Sequence, residues 1–99
     1  MSNVRLTLME AIARKLTVSA RYNGNTIKLA PHLLFERHGD LFVGALNMSK
    51  IWRSEEERKL GHFKLNGLGL MELIGETFVP LPPSQTAALR SEDIVIFAI

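Results

Sequence analysis

The feature that most constrains the fold of this chain is a hairpin signal between two alternating segments. The dipeptide Asn23-Gly24 separates residues 17–22 from residues 26–30, and apolar and polar side chains alternate in both segments. Alternation with a period of two is typical of a half-buried strand, and Asn-Gly favours a two-residue turn because both residues tolerate positive φ. The sequence therefore predicts an antiparallel hairpin, with Arg21 and Lys28 facing each other across it.

A helix precedes this hairpin and further strands follow it. Val4, Leu8 and Ile12 recur at helical spacing, which predicts an amphipathic helix over residues 4–15 that packs on the rest of the fold. Pro31 indicates a bend or a sheet edge because proline has no amide hydrogen to donate. Turns are predicted at residues 38–40 and 66–67, and a short helical turn at residues 55–60. The predicted later strands are residues 33–35, 41–46, 61–65, 68–74 and 93–98.

Composition narrows the class of protein further. With 99 residues, 46% of them hydrophobic, the chain has room for one domain with a modest core. The absence of cysteine excludes disulfides, thiolate metal sites and a cysteine nucleophile. The longest apolar run, residues 94–99, is far shorter than the ~20 residues that span a bilayer, and no signal peptide is recognisable. We therefore expect a cytoplasmic protein that does not insert into membranes.

Motifs for catalysis or cofactor binding are missing from the sequence. Gly67-Leu68-Gly69 lacks the third glycine of a dinucleotide fingerprint, and His32, His38 and His62 do not have the spacing of metal ligands. No nucleophile elbow is present either. We therefore expect a non-enzymatic protein with no catalytic residues, no cofactor and no metal.

Several segments, taken in order, resemble the WYL domains of bacterial regulators. Residues 29–31 and Leu34 are similar to the family's hydrophobic-x-Pro-x-x-Leu segment, and residues 39–45 stand where the family has a glycine turn followed by Trp-Tyr-Leu. Residues 63–68, Phe-Lys-Leu-Asn-Gly-Leu, are similar to its Phe-Arg-Leu-Asp-Arg-Ile segment, and Phe78 matches its closing aromatic residue. The name-giving triplet is Leu-Phe-Val in this chain, and Gly67 replaces the second arginine.

This resemblance implies a fold and a class of ligand. The fold is a small Sm-like or SH3-like β-barrel of five to six strands with an N-terminal helix, in the mainly β (α+β) class. It implies a barrel over residues 1–79, followed over residues 80–99 by a proline-rich connector and a C-terminal strand. Family members bind anionic ligands or nucleic acid, so we expect a regulatory or sensing module in bacterial transcriptional or defence regulation.

Charge patterning and the resemblance together select four candidate ligand contacts. Residues 1–39 carry six cations against two anions, a net charge of +4, whereas residues 40–99 carry six cations against eight anions. Lys64 stands at an arginine position of the family motif, and a tyrosine at a strand end stacks on a base in some nucleic-acid-binding proteins or packs in the core in others. The candidate contacts for an anionic small molecule or single-stranded nucleic acid are Arg21, Tyr22, Lys28 and Lys64.

A second hypothesis concerns association between protein chains. Trp52 lies in a polar connection and is either an exposed partner anchor or a residue folded back over the barrel. Residues 93–99 are an apolar strand that must pair with the chain's own sheet or with a partner's. Trp52, Ile94 and Ile96 are therefore the candidate interface residues, and the alternative function is a protein-interaction module, a homodimer through the C-terminal strand, with a degenerate ligand pocket.

Overall fold

The N-terminal helix packs as its periodicity predicts. The computed structural model describes residues 4–82 and 89–99, and in it α1 spans Val4–Arg14. Leu8, Ala11 and Ile12, on one face of α1, are buried. The helix ends where Lys15 takes a φ of 53°, a left-handed conformation common at helix ends. Its apolar stripe therefore rests on the sheet.

Six antiparallel strands form a single sheet, so the mainly β class is confirmed. The spatial order is β4-β3-β2-β1-β5, and β6 pairs with β2 beside this path. In the described ranges no ladder joins β4 to β5, so the sheet is open between them. The strands are β1 (Leu16–Tyr22), β2 (Asn25–Arg37), β3 (Asp40–Asn47), β4 (Gly61–Lys64), β5 (Leu68–Thr77) and β6 (Ile94–Ala98).

Two tight turns connect the first three strands. Asn23 and Gly24 have φ of 51° and 80°, and His38 and Gly39 have φ of 51° and 81°, so both turns use two left-handed residues as the sequence predicts. The expected pairing of Arg21 with Lys28 is wrong. A two-residue turn pairs Tyr22 with Asn25, which places Arg21 opposite Thr26 and Lys28 opposite Ser19.

The long strand β2 organises the sheet. It continues through Pro31, and the bend expected there is a register shift between Pro31 and Leu33 in its ladder with β3. Residues 25–29 pair with β1 and residues 33–36 with β6, whereas β3 pairs along the opposite edge. The strands β1 and β6 therefore follow each other along the same edge of β2.

Apolar side chains form two core clusters, because neighbouring residues of β2 point to opposite faces. One cluster, the α1 cluster, lies between α1 and the sheet and includes Leu8, Val18, Leu29, Leu34 and Val43. The other consists of Ala30, Leu46, Leu60 and Leu81, and half-buried Leu33, Trp52 and Phe78 pack against it.

Two 3-10 turns complete the fold. The first, Glu55–Glu57, lies in the charged connection and begins without a side-chain cap from Ser54, whereas the second, Leu65–Gly67, joins β4 to β5. Across the described parts of the chain, α1 is too short to cross a membrane, and no other helix could do so.

Candidate anion-binding groove

Two of the four predicted ligand contacts are the hairpin cations Arg21 and Lys28, and both are engaged within the chain. Arg21 Nη2 donates to the carbonyl oxygen of Gly24 at 3.0 Å. Lys28 Nζ donates to Glu76 Oε2 at 2.6 Å, which ties β2 to the end of β5. Both cations therefore already have acceptors.

The other two predicted contacts lie at the β1 and β4 strand ends. The Tyr22 ring packs edge-on against Phe63, with ring centroids 5.4 Å apart, and both residues contact the α1 cluster. The Tyr22 ring is thus half-buried by packing within the chain. Lys64 Nζ lies 3.3 Å from Asp40 Oδ2, and both side chains are about half exposed. The four residues therefore do not form one cavity.

A groove beside Trp52 brings together residues that the sequence does not place side by side. Trp52 Nε1 donates to the carbonyl oxygen of Asn47 at 3.2 Å, and the ring packs on the second core cluster. The indole is thus half-buried and folded back onto the sheet, one of the two arrangements considered from the sequence. Ile51 does not follow it, because its side chain is 95% exposed.

Two lysines line the groove together with this indole. Lys50 Nζ lies 4.4 Å from the centroid of the Trp52 ring, and Lys59 lines the same groove, whose volume is about 210 Å³. Leu60, Gly61 and Phe63 form the rest of its apolar wall. Among residues 4–82 and 89–99, no carboxylate forms an ion pair with Lys50 or Lys59. The groove therefore combines an apolar wall with two lysines that form no ion pair in the described part of the chain, although Glu56 and Glu57 line the adjoining cavity with them.

The sequence contains a weak signal for these two lysines. Lys50 lies two positions before Trp52. Lys59 follows three consecutive glutamates and Arg58, and residues 55–59 are most simply interpreted as a solvated turn. The lysines converge only because the connection folds back and places Lys59 just before β4.

A buried ion pair lies at the other end of β3. The Arg37 guanidinium binds Asp93 through Nε–Oδ1 and Nη2–Oδ2, both at 2.7 Å, and also lies over the rings of Phe35 and Phe42 at 5.1 and 5.3 Å. The hydrogen bonds from Arg37 lower the pKa of the Asp93 carboxyl to about 2. This pair fastens the start of β6 to the end of β2.

His62 completes the polar contacts of this ion pair. Its Nδ1 accepts from Arg37 Nη2 at 3.3 Å, which leaves the ring proton on Nε2. Burial, and then the nearby Arg37 charge, lower the pKa of His62. Because Nε and Nη2 of Arg37 are bound to Asp93 and His62 and the Asp93 carboxylate balances the charge of Arg37, this cluster is structural and does not offer a free cation.

His32 is also structural. Its Nδ1 donates to the Ala30 carbonyl oxygen at 2.8 Å, its Nε2 accepts from the Leu81 amide at 3.0 Å, and its ring stacks on Phe78. Burial lowers the pKa of His32, so the neutral form fills this position. In the part of the chain that the structure describes, no three His, Asp or Glu side chains form a group that could hold a metal ion.

Comparison of the chain with protein-family models, with curated proteins and with solved structures returns no match.

Proposed function

We propose that this chain is a non-enzymatic binding module that takes an anionic ligand, single-stranded nucleic acid, in the groove beside Trp52. The observation that carries this proposal is that Lys50 and Lys59 line the same groove as the indole, without ion pairs in the described residues. An ammonium group offers three donors, and the contact of Lys50 with the ring leaves those donors free for phosphate oxygens.

The apolar wall of the groove suits the base of a nucleotide. Single-stranded nucleic acids are held by basic grooves in which bases stack on aromatic side chains, each stack contributing about 1–3 kcal/mol. Trp52 and Phe63 supply aromatic surface here, and Lys50 and Lys59 supply charge. A base stacked against the wall would use the aromatic surface, and a phosphate bound by the lysines would use the charge.

A longer ligand has a path out of the groove along β4. This strand lies at the edge of the sheet; its Gly61 and Phe63 line the groove, and its last residue is Lys64. The ion pair of Lys64 with Asp40 is exposed, and such pairs contribute only about 0–1 kcal/mol. Lys64 can therefore exchange Asp40 for a phosphate. Arg21, Tyr22 and Lys28 stay outside this path because of the contacts described above.

We also propose that the sheet curls into a small barrel and that the chain resembles WYL domains. A small Sm-like or SH3-like barrel requires a strongly curled sheet. Support for it comes from the Tyr22–Phe63 ring contact, which joins β1 to β4 although two strands lie between them, and from the register shift in β2. On this basis the chain is a WYL-like regulatory module, in keeping with the anionic ligands of that family.

The test uses Trp52, which is the only tryptophan in the 99 residues and thus reports on the groove directly. Titration with a single-stranded oligonucleotide at low salt should change its fluorescence. The variant Lys50→Ala/Lys59→Ala should weaken binding at least tenfold, whereas Arg5→Ala, an exposed cation on α1, should leave it within about twofold. Equal weakening by both variants would mean that only overall charge matters and would overturn the groove assignment.

A further inference from the structure

The outer edge of β6 lacks a strand partner within the described residues. This strand pairs with β2 along one edge only. Ile94, Val95 and Ile99 are 60%, 47% and 49% exposed. An exposed apolar edge presents unpaired backbone donors and acceptors that readily recruit another strand.

Other edges of the sheet carry features that oppose pairing. Along β5 lie exposed Glu72 and Glu76, and positive φ at Leu70 and Gly75 (45° and 88°) interrupts its extended backbone. The strand β4 is four residues long and ends in Lys64. Charges and backbone irregularities of this kind protect edges from association. By contrast, residues 94–99 contain no charged side chain.

The direction of the free backbone groups follows from the β2–β6 ladder. Leu33 and Ala98 lie directly opposite each other, and the amide of the next residue, Ile99, donates to the His32 carbonyl oxygen at 3.0 Å. This pattern identifies Leu33–Ala98 as a non-hydrogen-bonded pair, in which the amide and carbonyl of Ala98 point away from β2. Ala98, which is exposed, therefore offers one donor and one acceptor to an added strand.

The acidic residue directly before β6 does not oppose close approach of a second copy. Asp93 is paired with Arg37 and its side chain is 0% exposed. In an antiparallel arrangement the start of one β6 would lie beside the end of the other. Because Arg37 of the same chain compensates Asp93, two such strands meet without an unpaired buried carboxylate.

We propose that a second copy of this chain pairs with β6, so that two β6 strands form an antiparallel ladder across a two-fold axis. Such an interface is self-complementary, since each copy presents the same uncharged edge to the other. The backbone of β6 supplies the ladder, and the exposed residues Ile94, Val95, Ala98 and Ile99 supply the side-chain contacts, whereas Ile96 and Phe97 pack against the chain's own core. This interface is short, so we expect dissociation constants on the order of micromolar.

The test measures the mass of the chain in solution by sedimentation or light scattering. At about 200 µM, well above that micromolar range, the wild-type chain should have twice its 11.1 kDa mass. The variant Ala98→Pro removes the outward donor while keeping Ile99 bonded to His32, so it should be monomeric. Ala98→Ser keeps the donor and should remain dimeric. A monomeric wild-type chain, or a dimer that Ala98→Pro leaves intact, would overturn the proposal.

A second pair of variants avoids any effect of proline on folding. Val95→Lys places a charge on the β6 edge and should weaken dimerisation at least tenfold. Val79→Lys, at a position that is 84% exposed and outside every strand, should leave the dimer unchanged. Weakened dimerisation in both variants to the same extent, or in neither variant, would contradict pairing through β6. These masses are independent of oligonucleotide binding, so the two proposals fail separately.

Discussion

Arg37 and Asp93 form a two-point ion pair, with both N–O distances at 2.7 Å, that joins the end of β2 to the start of β6. The two residues are 56 positions apart, and their side chains are 10% and 0% exposed. The pair therefore fixes a long-range connection on which the placement of β6 depends.

The first prediction is that this pair makes stability sensitive to acid. The pKa of Asp93 is about 2 in the folded chain, below the ~3.9 of an unfolded aspartate. Its contribution is therefore fully present above the unfolded pKa and is lost as the pH falls from about 5 toward 2. Urea unfolding midpoints should fall over this range for the wild type and change much less for Asp93→Asn.

A matched control separates charge from geometry at the same pair. Arg37→Lys keeps the positive charge but loses the planar group that binds both carboxylate oxygens. We expect it to be destabilised at pH 7 and to retain part of the acid dependence. If Asp93→Asn unfolds with the same pH dependence as the wild type, the pair does not act as described.

The second prediction concerns His32 between pH 5 and pH 7. Its folded-state pKa is lowered by burial, so the unfolded chain takes up a proton first and stability decreases as the pH falls below about 6.5. His62 acts in the same direction. His32→Leu leaves the Leu81 amide and the Ala30 carbonyl without this partner and should cost about 1–3 kcal/mol at pH 8. Its stability should also depend less on pH in this window than that of the wild type, and an equal dependence would count against the assigned role.

The third prediction tests the packing of α1 on the sheet. Leu8 is fully buried in the α1 cluster, so Leu8→Ala should lower the free energy of unfolding by about 2–5 kcal/mol. Leu6 lies on the same helix with its side chain 60% exposed, and Leu6→Ala should change it by about 0.5 kcal/mol or less. Equal effects in a denaturant titration would mean that the helix does not bury the predicted face.

The fourth prediction distinguishes the groove from the path along β4. Lys64→Ala should weaken binding of a ten-nucleotide strand several-fold, because that strand reaches the end of β4. It should leave binding of a dinucleotide beside Trp52 unchanged, since so short a ligand does not extend along β4 to Lys64. Fluorescence titrations of both ligands check this. Equal weakening of binding for both lengths would place Lys64 in the groove itself. No weakening for either length would remove Lys64 from the path.

The sequence predicted the turns and the helix correctly where the conformation depends on residues that are close together in the chain. The dipeptide Asn23-Gly24 requires two left-handed residues, and the turn it predicts is present. The spacing of Leu8 and Ile12 likewise identifies the buried face of α1. The pairing of Arg21 with Lys28 was wrong because a two-residue turn at Asn23-Gly24 pairs Tyr22 with Asn25, which places Arg21 opposite Thr26, two residues before Lys28.

Long-range contacts lay beyond the reach of sequence patterns. Nothing near Arg37 in the sequence indicates Asp93, and nothing near Trp52 indicates that Lys59 returns beside it. Pro31 also stays inside a strand, because it lies between the residues of β2 that pair with β1 and those that pair with β6, where no ladder requires its amide. Candidate contacts chosen from charge patterning and the family resemblance therefore omitted the two lysines of the groove and included two cations that Gly24 and Glu76 already engage.

The salt dependence of oligonucleotide binding, followed by the fluorescence of Trp52, tests the central claim most directly. Release of counterions by two lysines predicts that log K falls with log salt with a slope of about −1.4 for a short single strand. The slope should approach zero in Lys50→Ala/Lys59→Ala. Fluorescence that stays constant through the titration at low salt, or a slope that the double variant leaves unchanged, would contradict the assignment of this groove as the ligand site.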